Sequence, residues 1–377
     1  MFPYTGEFRK KITGNGLSHH RYEQFIPRSL MDGGFFKMDD ELSGLLISAH
    51  SALGILEGTI KYMPNREALK ELMILKECYY SRSIDYKEPM LSEVLTSMNT
   101  EKSDYQHIDN IVSAYKSALG LQIGSKTLSE ICTTALYGTE PEEKIYLYDT
   151  TIQTNQRYKP TPSNEILPTL RDMAMFIEKM TDVDILIKAA LAHYQIEAIH
   201  PFEYYNGVVG RIMISMILHN EGYASTSYLC LSQYLYYHTN DYFSLLDRTQ
   251  YSGGYHVWIK FFVQGICDAV QYALEQIEAM QQIIAEDEAK IESLKASTKA
   301  TWTMYNYFKQ NLLSEISVAS KTSSLSYNTA SKSVKVLFDI GILTQANNQL
   351  RHKVFEYTNL LKEFLKHYNN VGKDVKR

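Results

Sequence analysis

The apolar residues of this chain recur with helical spacing over most of its length, and that periodicity limits the fold more than any other feature. Segments such as EILPTLRDMAMFIEKM and DILIKAALAHYQIEAI set large apolar side chains three and four apart, the pattern of helices with a core-facing stripe. A mainly α chain is expected. One segment departs: KIYLYDTTIQTNQRY, residues 144–158, places β-branched and aromatic residues around a polar Thr-Asn-Gln and reads as a short hairpin. Pro160 and Pro162 stop it, and Ser163 or Asn164 can cap the helix that follows.

With 377 residues and 45% apolar content, the chain has material for two or three folding units. The N-terminal MFPYTGEFRKKITGNG lacks the apolar core of an export signal, and no window reaches the ~18 apolar residues of a membrane span. A cytoplasmic protein without membrane contact is expected. Cys78, Cys132, Cys230 and Cys267 lie too far apart for a zinc site or a disulfide framework and read as reduced core thiols. The net charge of −5 is uneven: residues 301–377 hold 11 Lys/Arg against 5 Asp/Glu, or +6, leaving −11 on residues 1–300. Only the C-terminal part is basic, which is either a solvated face or a surface for a polyanion.

Residues 265–297 form a run without proline, rich in Ala, Glu, Gln and Ile, that reads as a connecting helix. Beyond it come a short helix, a Ser-rich turn, a second helix ending at Gly341, and alternating segments around a polar QANNQ turn. This is the order of a winged helix-turn-helix. Its second helix, roughly 326–338, would present Asn328, Ser331, Lys332 and Lys335 to a DNA groove, with Arg351, His352 and Lys353 where the wing meets the backbone.

The stretch AIHPFEYYNGVVGRIM, residues 198–213, carries the chemistry. A helix N-terminus offers unpaired amides and the positive end of a dipole, so phosphates bind there readily. Asn206-Gly207 supplies a tight turn at such a start, and Gly207 lets a ligand approach the backbone. Arg211, one turn on, has a forked donor pair suited to a terminal phosphate. His200 is the one group of the stretch with an ordinary pKa suited to general-base work near neutrality. Taken singly, a His before Pro is more often structural and an Arg at a helix start more often solvated; their joint spacing is far more specific.

That spacing resembles the Fic family motif, H-P-F-x-[D/E]-G-N-G-R-x-x-R. His200, Pro201, Phe202, Asn206, Gly207 and Arg211 agree with it, whereas Tyr204 stands at the metal-binding acid, Tyr205 at the first glycine and Val208 at the first arginine. FIPRSL near residue 25, SALGILEG, the hairpin followed by YKPTP, LAHYQIEAIHPF and the C-terminal winged helix extend the likeness over nearly the whole chain. The resemblance implies a Fic-type helical domain with a small β-hairpin flap and AMP transfer from ATP to a hydroxyl of a target protein. His200 would be the base and Asn206, Gly207, Gly210 and Arg211 the nucleotide site; Thr151, Ile152 and Tyr158 of the flap would align the target by strand addition. Mg²⁺ would sit on the phosphates. Tyr204 is a weak ligand for that hard cation, which leaves Glu203, one residue early, as the carboxylate for the metal if the bulk of Tyr205 shifts the loop. Loss of the arginine at 208 removes a phosphate clamp worth on the order of 2–4 kcal/mol in the transition state.

Family members also carry an inhibitory helix, [S/T]-x-x-x-E-[G/N], whose glutamate pairs with the second motif arginine. Two segments compete for that role: LGILEG offers Glu57-Gly58 with Leu53 at the Ser/Thr position, and SRSIDY offers Ser81 with Asp85 at the glutamate and Tyr86 at the glycine. The flanking sequence favours Asp85. The expected organisation is an N-terminal helical region over 1–105 with the inhibitory helix, a Fic core over 106–265, a connecting helix over 266–298 and a winged helix over 299–377. Function is expected to be nucleotidyl transfer, the alternative being a weak or inactive nucleotide-sensing regulator that binds DNA. A homodimer is among the partners the resemblance implies.

Overall fold

The structure, a computed structural model, describes residues 5–13, 20–100, 105–138, 161–294, 298–347 and 352–366. The hairpin expected at 144–158 lies outside them. The chain opens instead with an antiparallel pair that the helical reading did not foresee, β1 (Gly6–Thr13) and β2 (His20–Pro27), with Gly6 opposite Pro27. Its apolar positions Phe8 and Ile12 are separated by Arg9, Lys10 and Lys11, so no alternation is visible in the sequence. The Phe8 ring packs on Phe25 and Tyr251, each at 5.0 Å between centroids.

Helices follow: α1 (Asp40–Tyr62), α2 (Arg66–Asp85), α3 (Leu91–Met98), α4 (Gln106–Ala118), α5 (Ser125–Tyr137), α6 (Ser163–Lys179), α7 (Ile185–Ile199) and α8 (Asn206–Asn220). Then come α9 (Leu231–Tyr237), α10 (Thr239–Ser252) and α11 (Tyr255–Glu292). The last region holds α12 (Lys299–Asn311), β3 (Leu313–Glu315), α13 (Ile316–Thr322), α14 (Tyr327–Asp339), β4 (Thr344–Gln345), β5 (Val354–Glu356) and α15 (Thr358–Phe364). Pro162 takes the cap position of α6, and Ser163 is already its first helical residue. The long helix begins at Tyr255, ten residues before the run read from sequence, because Gly253 and Gly254, and not Gly265, mark its start. Gly265 lies inside it where a Cβ would come within 2.6 Å of the Tyr234 ring.

The centre of the molecule is the pair α7 and α8, in which nearly every residue is buried. Apolar residues on all sides of a helix require cover on all sides. Around the pair, α11 donates Trp258 Nε1 to Ala190 O at 2.8 Å. The segment Phe25–Leu30 fastens α6 and α7: Asp172 accepts from Ser29 Oγ at 2.5 Å and Leu30 N at 3.0 Å, and Gln195 donates to Arg28 O at 3.1 Å.

The C-terminal sheet is antiparallel in the order β3-β5-β4. This region docks on α2 and α11 through buried polar groups. Lys76 Nζ donates to Phe364 O at 2.9 Å and Gln276 Oε1 at 3.1 Å, and Tyr357 OH donates to Asp287 Oδ2 at 2.8 Å. Burial lowers the Lys76 ammonium to about 8, against the pull of Cys230 and Glu363.

Close approach of α7 and α8 depends on Gly210, where a Cβ would meet His193 Nδ1 and Ile196 Cγ2, each at 2.9 Å. Both atoms belong to a fully packed helix that has no room to yield. Gly210→Ala is expected to cost about 1–3 kcal/mol, read as a lower denaturation midpoint at unchanged m-value.

Candidate functional site

His200 ends α7 in the left-handed region, with φ 50, and its N–H donates to Ile196 O at 3.0 Å. The chain then turns through Pro201–Tyr205 into α8. Asn206 closes this turn from inside: its Oδ1 accepts from Phe202 N at 2.9 Å and its Nδ2 donates to Phe202 O at 2.8 Å. Both halves of the amide are therefore committed to the loop. Tyr205, at φ 63, leads into the helix as a residue in backbone space that glycine occupies more easily.

Arg211 is buried, and all three nitrogens of its guanidinium donate to groups on α2 and α10. Nε donates to Ser81 Oγ at 2.9 Å, one terminal nitrogen donates to Ser81 O at 2.7 Å and Asp85 Oδ2 at 2.5 Å, and the other to Tyr242 OH at 3.4 Å. Burial opposes the guanidinium charge, but Asp85, Tyr242 and Glu197 hold its pKa above the ordinary value. The ion pair occupies the space over Gly207, where a Cβ would lie 2.6 Å from Asp85 Oδ2 and 2.8 Å from the arginine. In this state the Asp85 carboxylate stands at the first turn of α8, where an anion is favoured. Glu57, the competing carboxylate, accepts from Ser225 N at 2.8 Å instead.

The end of α2 holds the loop by a second contact. The Arg82 guanidinium lies 3.3 Å from the Tyr86 ring centroid and 5.1 Å from that of Tyr205, and the two rings meet edge to face at 5.7 Å. Glu88 steadies Arg82 at 3.4 Å and takes His107 Nε2 at 3.0 Å. Tyr205 thus packs on the end of α2. Tyr204 is 52% exposed, while Val208 is fully buried, so an arginine at 208 would enter the core and not a phosphate site.

Behind Arg211 lies a buried chain of ionisable groups that sequence reasoning missed. Tyr242 OH donates to Glu197 Oε1 at 3.2 Å and meets His193 Nε2 at 2.8 Å. His193 and Glu197 precede His200 by two turns and one turn on α7, a spacing readable in the sequence; Tyr242, from α10, carried no signal. Burial, reinforced by Asp85, raises the Glu197 carboxyl to about 7. Burial, reinforced by Arg211, lowers His193 to about 3. Burial also lowers His200 to about 4, against the pull of Asp85 and of a hydrogen bond with the Glu197 backbone.

Of the other residues singled out, Thr151, Ile152, Tyr158 and Arg351 lie outside the described residues. Glu203 is exposed on the loop beside Tyr204. Asn328, Lys332 and Lys335 are exposed on α14, and Lys353 is exposed just before β5; Lys335 pairs with Asp339 at 2.9 Å.

Residues 125–218, which run from α5 through most of α8, match the sequence model of the Fic/DOC family. The fold is similar to that of a Fic family protein from Desulfovibrio desulfuricans G20, with a TM-score of 0.54 at 14% identity, covering 85% of this chain and 97% of that one. The family match is confined to that segment, whereas the structural likeness, which concerns the fold alone, reaches far beyond it.

The raised Glu197 pKa fixes a sign. The folded protein keeps a proton that the unfolded chain releases near the ordinary 4.5, so stability is lost as pH climbs from there to about 7. Glu197→Gln should therefore stabilise the protein more at pH 8 than at pH 5, by a difference on the order of 3 kcal/mol in paired denaturation curves.

Proposed function

We propose that this chain is a Fic-type nucleotidyltransferase, moving AMP from ATP to a protein hydroxyl, whose resting form is closed by Asp85. The observation that carries this reading is the Asp85–Arg211 ion pair filling the space over Gly207 at the start of α8. When Asp85 withdraws, Arg211 and the first-turn amides of α8 become donors for the terminal phosphates. Asn206 contributes by fixing the loop from Phe202, not by contacting phosphate directly. His200 is neutral at physiological pH and accepts the proton of the target hydroxyl as its oxygen bonds the α-phosphorus and pyrophosphate leaves.

The donor set does not fit a magnesium ion held by the protein. Glu203 is the loop's one carboxylate and hydrogen-bonds the Tyr204 phenol, and no group of three metal-ligating side chains occurs among the described residues.

With α-labelled ATP and cell lysate, the unchanged protein is expected to label weakly, and Asp85→Gly to raise labelling roughly tenfold or more, in keeping with release of a partly buried ion pair. Adding His200→Ala should return the signal to background. A folded Asp85→Gly variant that binds ATP in calorimetry yet labels nothing would reject transfer and leave the nucleotide-sensing regulator.

A second reading concerns residues 299–366. The helix pair α13 and α14 and the strands β4 and β5 follow the order of a winged helix, and we read α14 as its DNA-facing helix. Asn328 and Lys332 face outward on α14, and a groove of about 650 Å³ separates that helix from the β4–β5 wing, with Lys335 on one side and Lys353 on the other. We read the two lysines as contacts for a sugar–phosphate strand along a groove whose lining also holds Glu315 and apolar side chains. Retention of genomic fragments at low salt is expected, falling steeply as salt rises, and Lys332→Ala with Lys335→Ala should flatten the log–log slope by about two. Absence of any retention at low salt would reject DNA as the partner.

A further inference from the structure

The outer face of α1 takes no part in either reading, yet its composition is costly for a helix open to water. The inner face is fixed to the core by buried leucines, by His50 at 2.9 Å from Tyr223 OH and 2.8 Å from Asp184, and by Glu57. On the outer face Ile47 is 72% exposed, Ile55 57% and Tyr62 81%. Between them stand Gly44, Gly54 and Gly58, and among the described residues nothing lies within 4 Å of a Cβ built at any of the three. Each exposed mid-helix glycine destabilises a helix by about 1 kcal/mol relative to alanine. Among the described residues no side chain packs over these glycines to offset this.

The pattern of that face is symmetric. Read outward from Ser51, small residues stand three positions away on both sides (Ser48, Gly54), isoleucines at four (Ile47, Ile55), glycines at seven (Gly44, Gly58) and opposite charges at ten (Glu41, Lys61). At about 100° per residue all of them fall on one side of the helix. A sequence that reads alike in both directions is what an isologous contact demands, since each half must fit the other half of an identical partner.

We propose that two copies of this chain pair antiparallel across the outer faces of α1, about a two-fold axis at Ser51. In that register Ile47 seats on the second copy's Gly54 and Ile55 on its Ser48, large against small, so the glycines become seats for side chains. The basic end at Lys61 meets the acidic end of the other helix, where Asp40 is exposed while Glu41 already pairs with Lys260 of its own chain, and the two helix dipoles run in opposition. The helix has 23 residues, a face about 35 Å long. Such a contact belongs to the small end of specific interfaces, with dissociation in the micromolar range.

Sedimentation of the full chain at tens of micromolar concentration is expected to give a dimer that dissociates on dilution. Gly54→Leu should weaken association by about tenfold or more while raising the melting temperature, since leucine suits an exposed helix better than glycine. Ser51→Cys should form a cross-linked dimer under mild oxidation, and Gly44→Cys, whose two copies lie on opposite sides of the axis, should not. A monomer at these concentrations, a Gly54→Leu variant that associates as before, or equal cross-linking by both cysteine variants would each overturn the proposal.

Discussion

The structure turns on the buried guanidinium of Arg211. A charge in the core is tolerated only when its donors are paired, and removing one partner of such a pair costs about 3–5 kcal/mol. Ser81, Asp85 and Tyr242 together engage all three of its nitrogens, so one side chain ties α2, α8 and α10 together. A site built this way has few ways of being half formed. Either α2 supplies the acceptors, or an anion of comparable charge must.

The same constraint makes α2 the helix on which the rest of the molecule is hung. Lys76 binds the end of α15, Glu77 accepts from Ser232 N and Oγ at the start of α9, and Ser81 and Asp85 meet Arg211. Burial pushes the Glu77 carboxyl up to about 7 against those two donors. Four polar residues of α2 thus join the C-terminal region, the α9 segment and the start of α8. A displacement of α2 large enough to free Arg211 would disturb buried hydrogen bonds in all three places.

Much of this was legible in the sequence because it rests on short-range spacing. The helical character, a helix start at Asn206-Gly207 and the order of the last elements follow from patterns a few residues long, whereas the pairing of Asp85 with Arg211 is expected only from the resemblance to the Fic family's inhibitory helix. What was illegible depends on contacts between distant segments. The β1–β2 pair lacks alternation because three charged residues separate Phe8 from Ile12. The start of α11 was hidden because Gly265 reads as a boundary until Tyr234 is seen packed against it. Tyr242 reaches the site from α10 with nothing in its neighbourhood to mark it. Asn206 reads as a phosphate ligand until its amide is seen closed on Phe202.

The departures at 205 and 208 look like lesions when set against a motif, but each has a structural partner. Val208 is core, and Tyr205 is clasped by Arg82 and Tyr86 at the end of α2. The first turns of α8 and the loop before it are therefore held to α2 twice, by an ion pair to Arg211 and by an aromatic clamp on Tyr205. If the ion pair alone contributes about 4 kcal/mol to the closed state, the open form is on the order of one molecule in a thousand. The clamp lowers that fraction further. On the function proposed above, such a chain would bind nucleotide weakly because most of its molecules would be closed to it, even with every remaining phosphate donor intact. The balance between closed and open forms then depends less on the motif itself than on what holds the end of α2.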